Sequence, residues 1–303
     1  MFSKLLPHKK PAKQADPASV DDADTRAIHR QRKHKTRALL IGINYIGTSS
    51  QLNGCINDVN HVYRWLTTEC GYDASEIRVL TDDEHVPDKY RPTRKNILDS
   101  FEWLRAAIPK EGDEQVNLFL HYSGHGSWDR DRDGDEKDGR DESICPLDYQ
   151  RNGMIKDDEL HEVLVNPIAP QSNVKLTCLF DSCHSGTVLD LRYEYEVAVA
   201  SNNPNRRSFR VYQNKSVKKT NAQIVLFSGS LDKQYSADAW ISGKAQGAMT
   251  WGFLNVMRKH RKRAVSYKRV MAELQILLKK KGYEQIPHMC GGNFIPLKTR
   301  FIP

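Results

Sequence analysis

Short apolar runs alternate with segments of helical periodicity along most of this chain, and this alternation constrains the fold more than any other feature. The runs have the length of buried strands and cover residues 38–43, 77–81, 116–122, 174–180 and 223–228. Helical spacing of apolar residues follows several of them, and two further helices are expected around 247–260 and 265–281. The pattern predicts an α/β fold whose mostly parallel central sheet has helices on both faces. Functional residues of such sheets gather at the carboxyl ends of the strands.

The formal net charge of +8 is distributed unevenly over the 303 residues. Segments 1–37, 203–220 and 257–281 carry +6, +6 and +9, so the rest of the chain carries −13. A nucleic-acid-binding domain has a basic surface built into its fold. An acidic body with basic appendages lacks that surface, so no nucleic-acid partner is expected. Such a body suits a protein that handles cationic ligands.

Other patterns exclude further classes of protein. The mean hydropathy is −0.65, and no apolar run approaches the roughly 20 residues of a membrane helix. The first residues lack the apolar stretch of a secretory signal, and the six cysteines show neither a C-x-x-C pair nor zinc-finger spacing. We therefore expect reduced thiols and a cytoplasmic or nuclear location, without a membrane partner. Dinucleotide and P-loop motifs are missing, as is the G-x-S-x-G of serine esterases.

Two segments interrupt the regular pattern of the chain. Residues 1–36 contain three prolines, mixed charge and almost no apolar periodicity, which predicts a disordered N-terminal extension before a domain at 37–303. Residues 203–220 hold six basic and no acidic residues, which predicts an exposed basic loop between the fourth and fifth strands.

A histidine and a cysteine follow two of the predicted strands. His125 stands between two glycines after the third strand, and Cys183 follows the fourth strand before small polar residues. Because both strand ends lie at one edge of a parallel sheet, thiol and imidazole can meet there as a nucleophile and its general base. The imidazolium lowers the pKa of the thiol and later protonates the leaving amine. The alternative for each residue alone is a small core cysteine and a loop histidine with a structural bond.

Several longer motifs around these residues resemble the type I metacaspases, which are cysteine peptidases of the caspase-hemoglobinase fold. The resemblance runs from about Arg37 to the C-terminus and rests on the motifs at 42–45, 52–58, 123–127, 181–186, 227–229 and 236–238. It implies Cys183 as nucleophile, His125 as general acid and base, and an oxyanion hole from the N–H groups of Gly126 and Cys183. His184 is a rival base, but its position beside the nucleophile directs it away from the thiol.

The resemblance also implies a pocket for a basic side chain, since metacaspases cleave after Arg or Lys. The matching positions are Asp58, Asp181, Cys55 and Ser123. Asp181 and Cys183 are two residues apart, so in an extended segment they share one face. The alternative for Asp58 is a helix N-terminal charge that stabilises the dipole, and the two roles are compatible.

Calcium activation is a further implication of the resemblance. The matching aspartates are Asp141, Asp157, Asp158 and Asp190, whose hard oxygens suit Ca²⁺. The alternative for Asp157 and Asp158 is the N-terminus of the following helix. An EF-hand at 129–140 is rejected, because Arg140 occupies the position of the bidentate glutamate. The acidic segment 129–142 also fits a merely solvated loop.

The expected cleavage after Arg or Lys suggests a role for the basic segment 203–220. An enzyme that cuts after Arg or Lys would find candidate self-cleavage sites in its own chain, namely Arg206, Arg207, Arg210, Lys215, Lys218 and Lys219. The alternative is a solvated linker. The residues and the resemblance together imply a calcium-dependent, autoprocessing cysteine endopeptidase that acts on protein substrates after Arg or Lys. Its family implies a monomer. The competing hypothesis is an interaction or proteostasis protein that keeps the fold without using the thiol.

Overall fold

The computed structural model describes residues 34–130, 140–183, 185–199, 203, 206–230, 238–241, 244–261, 263–283 and 285–303. The helices of this part are α1 (Cys55–Glu69), α2 (Arg94–Arg105), α3 (Tyr149–Asn152), α4 (Asp157–Leu160), α5 (Asn166–Ile168), α6 (Ala248–Lys259) and α7 (Tyr267–Lys280). A π-helical turn, His161–Val165, joins α4 to α5.

Fifteen strands occur in the same described residues. They are β1 (Lys35–Gly42), β2 (Ile77–Thr81), β3 (Val116–Ser123), β4 (Gly126–Arg130), β5 (Arg140–Ile144), β6 (Ile155–Lys156), β7 (Val174–Asp181), β8 (Tyr193–Val199), β9 (Ser208–Gln213), β10 (Gln223–Ser230), β11 (Asp238–Ile241), β12 (Lys244–Gly247), β13 (Val265–Ser266), β14 (Ile286–Gly291) and β15 (Arg300–Phe301).

Eight strands form the central sheet in the order β2-β1-β3-β7-β10-β14-β8-β9. The first five are parallel and correspond to the five predicted apolar runs. β14, β8 and β9 extend the sheet by antiparallel pairing. The predicted α/β fold with a mostly parallel sheet is therefore confirmed.

Helices cover both faces of this sheet, as the apolar strands require. Along β1, Leu39 and Ile41 belong to a core that includes α2, α4 and α5, while Leu40 belongs to the opposite core with α1, α6 and α7. Successive strand residues point to opposite faces, so a continuous apolar run fits a strand buried on both sides. Thr93 and Ser266 cap α2 and α7 by accepting backbone N–H groups with their hydroxyls.

The segment 203–220 was expected to be an exposed loop, and the structure corrects this expectation. Residues 208–213 form β9, which pairs with β8 along the outer edge of the sheet. Alternating apolar residues in β8, among them Tyr193 and Tyr195, pack into one core, and this gives the following basic segment a strand to pair with. Only the residues around β9 remain as loops.

The first strand begins slightly before the predicted start of the domain. β1 begins at Lys35, two residues before the predicted start of the domain, and Lys35 pairs with Val116 of β3. Residues 1–33 lie outside the described residues. Among the helices described, none is long and apolar enough to cross a membrane.

Candidate active site

The histidine and the cysteine follow neighbouring strand ends. β3 and β7 pair in parallel up to Ser123 and Asp181, and the N–H of Gly124 donates to the carbonyl oxygen of Asp181 over 3.4 Å. His125 and Cys183 each come two residues after these paired positions, and both side chains are half-buried. The structure therefore brings the predicted nucleophile and base to one edge of the sheet. His184, the rival base, lies outside the described residues.

Gly126 lies directly against the backbone of Cys183. A Cβ atom at Gly126 would lie 1.9 Å from the carbonyl oxygen of Cys183, so no side chain fits at this position. β4 starts at Gly126, and this close approach fixes the start of β4 to the segment that carries the thiol. The predicted oxyanion-hole residues are thus adjacent.

The ring of His125 is held in a defined orientation. Its Nε2 lies 2.7 Å from the carbonyl oxygen of Ser50. Because a carbonyl only accepts hydrogen bonds, Nε2 carries a hydrogen, and in the neutral ring the lone pair is on Nδ1. The ring also packs on Tyr45, with 4.7 Å between ring centroids. An imidazole in this tautomer can accept a proton at Nδ1.

Two tyrosines hold the backbone around His125. The N–H of His125 donates to the hydroxyl of Tyr45 over 3.0 Å, and the hydroxyl of Tyr122 donates to the carbonyl oxygen of His125 over 2.6 Å. The Tyr45 hydroxyl in turn donates to the carbonyl oxygen of Cys145, 2.6 Å away. Burial raises the pKa of both phenols, so both hydroxyls stay protonated and keep donating. Tyr45 itself has a φ of 51°, which an L-residue rarely adopts.

The two predicted pocket carboxylates meet beneath the first turn of α6. Asp58 is 0% exposed and Asp181 is 1% exposed. The N–H of Gly247 donates to both carboxylate oxygens of Asp58, over 3.0 and 2.9 Å, and the N–H of Thr250 donates to Asp181 over 2.7 Å. A Cβ atom at Gly247 would lie 2.1 Å from Asp181 and 2.7 Å from Asp58, so both carboxylates reach the same point.

The other two pocket residues lie beside these acids. The Ser123 hydroxyl donates to Asp58 over 2.8 Å. Cys55 is buried at the start of α1, three residues before Asp58 and therefore on the same helix face. The structure thus brings the predicted set together and also places Asp58 in the first turn of α1, where the alternative expects it. Neither Gly247 nor Thr250 was expected, because their partners lie far away in sequence.

The four predicted calcium residues lie in three segments, namely β5, α4 and the loop before β8. Asp141 on β5 is buried and forms an ion pair with Lys156 over 2.5 Å. Asp157 is the first residue of α4, at the helix N-terminus that the alternative expects, and accepts the N–H groups of Glu142 and Asp158 over 2.5 and 3.0 Å. Asp158 is exposed.

Glu142 connects these aspartates to the loop that carries Asp190. Its Oε2 accepts the N–H of Thr187 over 2.9 Å, and the N–H of Asp190 donates to the carbonyl oxygen of Thr187 over 2.7 Å. In the part of the chain that the structure describes, no three of the four aspartates lie within 4.8 Å of one another. Their carboxylate oxygens fit Ca²⁺ in kind, but an ion would have to compete with Lys156 for Asp141.

The candidate self-cleavage sites differ in accessibility. Arg206, Lys215, Lys218 and Lys219 are exposed in the loops beside β9. Arg210 is exposed but paired within β9, opposite Glu196. Arg207 is only 2% exposed, which contradicts its expected accessibility.

Comparisons with known proteins show which family the chain resembles. The family described as metacaspase, peptidase C14 domain matches residues 36–192. Metacaspase-1 of Kluyveromyces lactis is 37% identical over 88% of the chain and 68% of its own length. Metacaspase-1 of Saccharomyces cerevisiae is 36% identical over 94% of the chain and 72% of its own length. The crystal structure of a Geobacter sulfurreducens protein, 24% identical, covers 88% of this chain and 97% of its own with a TM-score of 0.56.

Proposed function

Because the chain belongs to the metacaspase family of cysteine peptidases, we propose that it is a calcium-dependent endopeptidase that hydrolyses peptide bonds after Arg or Lys. The observation that carries this proposal is the meeting of Asp58 and Asp181 at Gly247, beside the strand end that leads to Cys183. Two buried carboxylates at one point favour a cation between them, because each disfavours the ionised form of the other.

The catalytic step is proposed to use Cys183 and His125. Nδ1 of His125 takes the proton of the thiol, and the sulfur attacks the carbonyl carbon of the scissile bond. The C–N bond then breaks, and the same Nδ1 returns its proton to the leaving amine. Water next attacks the thioester with His125 as base, which releases the acid product and the thiol. The hydrogen bond from Nε2 to Ser50 supports this assignment, since it leaves Nδ1 as the acceptor.

Stabilisation of the tetrahedral oxyanion is assigned to the N–H groups of Gly126 and Cys183. The contact between Gly126 and the carbonyl oxygen of Cys183 supports this role, because it holds the two peptide units side by side. Preorganised donors act without reorganisation during the reaction, and removing one such donor slows comparable enzymes about 10²–10³-fold.

Substrate selection is assigned to Asp58, Asp181, Ser123 and Cys55. In the structure the two carboxylates accept N–H groups from the start of α6. An arginine or lysine side chain would add a charge-assisted contact to each carboxylate. The glycine at 247 leaves the space between them free of a side chain. An aspartate side chain would meet two like charges here and be rejected.

Calcium is proposed to bind Asp141, Asp157, Asp158 and Asp190. When bound, the ion would supply positive charge that draws β5 and the Asp190 loop together. The link from Glu142 to Thr187 supports this placement, because it already joins these segments. The Asp190 loop starts a few residues after Cys183. An ion that orders this loop would therefore help to hold Cys183 in position.

Self-cleavage is proposed at the exposed basic residues beside β9. Arg206, Lys215, Lys218 and Lys219 are accessible, whereas Arg210 is held in a strand and Arg207 is buried. A protease needs an extended, accessible segment, which favours the loops over the strand.

Digestion of unfolded casein, with the new termini identified by mass spectrometry, tests the proposed function. We expect cleavage after Arg and Lys in the presence of calcium, and none by the Cys183→Ala variant under the same conditions. Intact casein after treatment with the wild-type chain and calcium would favour the non-catalytic alternative. The same spectra report the termini of the peptidase itself, and fragments that Cys183→Ala also produces would contradict self-cleavage.

A further inference from the structure

Two carboxylates and an imidazole meet on the antiparallel part of the sheet, outside the site described above. The ligand atoms of Glu194, Glu196 and His288 all lie within 4.8 Å of one another. Glu194 and Glu196 are two residues apart on β8 and share one face. β14 pairs with β8 through Met289–Tyr195 and Cys290–Glu194, which puts His288 level with Glu196. Among the described residues, this is the one group of three or more such side chains at that spacing.

The separation of these atoms fits a small metal ion. Nδ1 of His288 lies 3.5 Å from Oε1 of Glu194. Tetrahedral ligands with bonds of about 2.1 Å are about 3.4 Å apart, so this pair already has the spacing of two ligands of one ion. The Nδ1 atom is buried and makes no hydrogen bond within the described residues. In the tautomer that carries its hydrogen on Nε2, this atom offers a lone pair to a metal.

A buried serine supplies a second, independent observation. Ser228 of β10 pairs directly with His288, and cross-strand partners have their side chains on the same face about 5 Å apart. Ser228 is 0% exposed, and its hydroxyl has no hydrogen-bond partner in the described part of the chain. An unpartnered buried hydroxyl gives up the hydrogen bonds that it makes to water in the unfolded chain. A water molecule on the ion would give this hydroxyl a partner.

One basic residue lies opposite the cluster on the next strand. Arg210 lies opposite Glu196 on β9, yet it is exposed and forms no ion pair with any described carboxylate. An ionised imidazole between the two glutamates is the alternative to a metal, and the experiment below separates the two.

We propose that Glu194, Glu196 and His288 bind one divalent transition-metal ion, of which Zn²⁺ fits best. Imidazole with carboxylates suits zinc and its neighbours better than calcium or magnesium, which prefer oxygen ligands alone. The three proposed ligands include no cysteine, so the absence of zinc-finger cysteine spacing does not argue against this site. The ion ties β8 to β14.

The proposed metal link between β8 and β14 lies close to the segment that carries Cys183. Cys290 on β14, next to the proposed ligands, donates its Sγ hydrogen to the carbonyl oxygen of Gly186 over 3.2 Å. Gly186 comes three residues after Cys183. A metal ion on β14 therefore braces the strand that supports this segment, independently of the proposed calcium residues.

Titration with Co²⁺, a spectroscopic substitute for zinc, tests the proposal on the full chain with Cys183→Ala. This background removes the catalytic thiol as a ligand and prevents self-cleavage, so peptidase activity plays no part in the readout. We expect one equivalent with the visible bands of a four- or five-coordinate ion, and competition by Zn²⁺. His288→Gln and Glu196→Gln should each weaken binding at least tenfold, whereas the control Asp158→Asn should not.

Three results would overturn the proposal. They are no stoichiometric binding, binding that survives both ligand substitutions, and near-ultraviolet thiolate bands that reveal cysteine ligation. Zn²⁺ should also raise the Tm of the Cys183→Ala chain but not that of the Glu196→Gln variant. Circular dichroism confirms that each variant is folded; if His288→Gln does not fold, Glu196→Gln decides the question alone.

Discussion

His125 donates its Nε2 hydrogen to the carbonyl oxygen of Ser50, 2.7 Å away. This bond sets the tautomer of the proposed general base through a main-chain group, where many cysteine peptidases use a side chain for the same purpose. The oriented ring then rests on Tyr45, whose hydroxyl also holds the His125 backbone. Base and backbone are thus fixed by one short segment after β1.

Tyr45 should act as a positioning residue for the base. Tyr45→Phe keeps the ring contact but removes the hydroxyl, so we expect kcat to fall about fivefold, as for loss of roughly 1 kcal/mol, with KM unchanged. His125→Ala should lower kcat/KM by about 10²–10⁴. Tyr149→Phe, which packs on Tyr45 without contacting His125, is the matched control and should retain full kcat. An unchanged kcat in Tyr45→Phe would contradict the positioning role of Tyr45.

Gly126 should not tolerate a side chain. The Cβ of Gly126→Ala would meet the carbonyl oxygen of Cys183 at 1.9 Å, which forces the two backbones apart. We expect a loss of about 1–3 kcal/mol in the free energy of unfolding and a larger loss in kcat. Gly229→Ala is the control, because its Cβ meets only the flexible amide of Gln285 at 3.3 Å. Equal effects of both substitutions would contradict a special role for Gly126.

The pocket carboxylates should govern specificity more than stability. Asp58→Asn and Asp181→Asn keep an acceptor for the N–H groups of α6 but remove the charge. We expect kcat/KM on Arg and Lys substrates to fall at least about 30-fold, as for loss of roughly 2 kcal/mol of binding, with a smaller change in stability. The exposed Asp99→Asn serves as control. Full activity on arginine peptides in both variants would rule out the pocket.

Lys156 should compete with calcium for Asp141. The two side chains form an ion pair over 2.5 Å, so an ion that binds Asp141 must displace the ammonium. Lys156→Met should lower the calcium concentration for half-maximal activity about fivefold, as for removal of an interaction of roughly 1 kcal/mol. Asp141→Asn should raise the calcium concentration for half-maximal activity. Identical calcium curves for all three proteins would place the ion elsewhere.

His121 should make the fold sensitive to acid. Burial lowers the pKa of His121 to about 3, from an ordinary 6.5. Between these values the unfolded chain binds a proton here that the folded chain does not, so the free energy of unfolding falls as the pH falls. His121→Gln keeps a partner for the Thr250 hydroxyl and removes the titration. By about pH 4 the wild type should lose on the order of 3 kcal/mol more than the variant in urea unfolding. Parallel stability curves would contradict this expectation.

The sequence predicted the parallel part of the fold well because each of those strands is a continuous apolar run, which is typical of strands buried on both faces. β14 escaped prediction because its six residues include Pro287 and lack a clear pattern. β9 was taken for a loop because its exposed, basic residues resemble one, and only pairing with β8 makes it a strand. The comparisons confirm the caspase-hemoglobinase fold and the cysteine-peptidase class.

The location of the candidate site was predictable from the strand ends, because the strands before His125 and Cys183 are neighbours in the sheet. Main-chain partners such as Ser50 and Gly247 have no sequence signal, because a carbonyl or an N–H occurs at almost every residue. Tyr45 lay within a recognised motif, but its role required the left-handed backbone that the structure shows. Contacts between distant segments, such as Gly247 with Asp58, become visible only in three dimensions.

Fluorogenic peptides ending in Arg, Lys or Asp, assayed on wild type and Cys183→Ala with millimolar calcium and with chelator, test the proposed activity most directly. We expect release after Arg and Lys only, dependent on both calcium and Cys183. Cleavage after Asp would contradict the carboxylate pocket, and activity in chelator would contradict the calcium site. Equal turnover by Cys183→Ala, or no reaction of the wild-type thiol with an arginine-directed covalent probe, would contradict the assignment of the nucleophile itself.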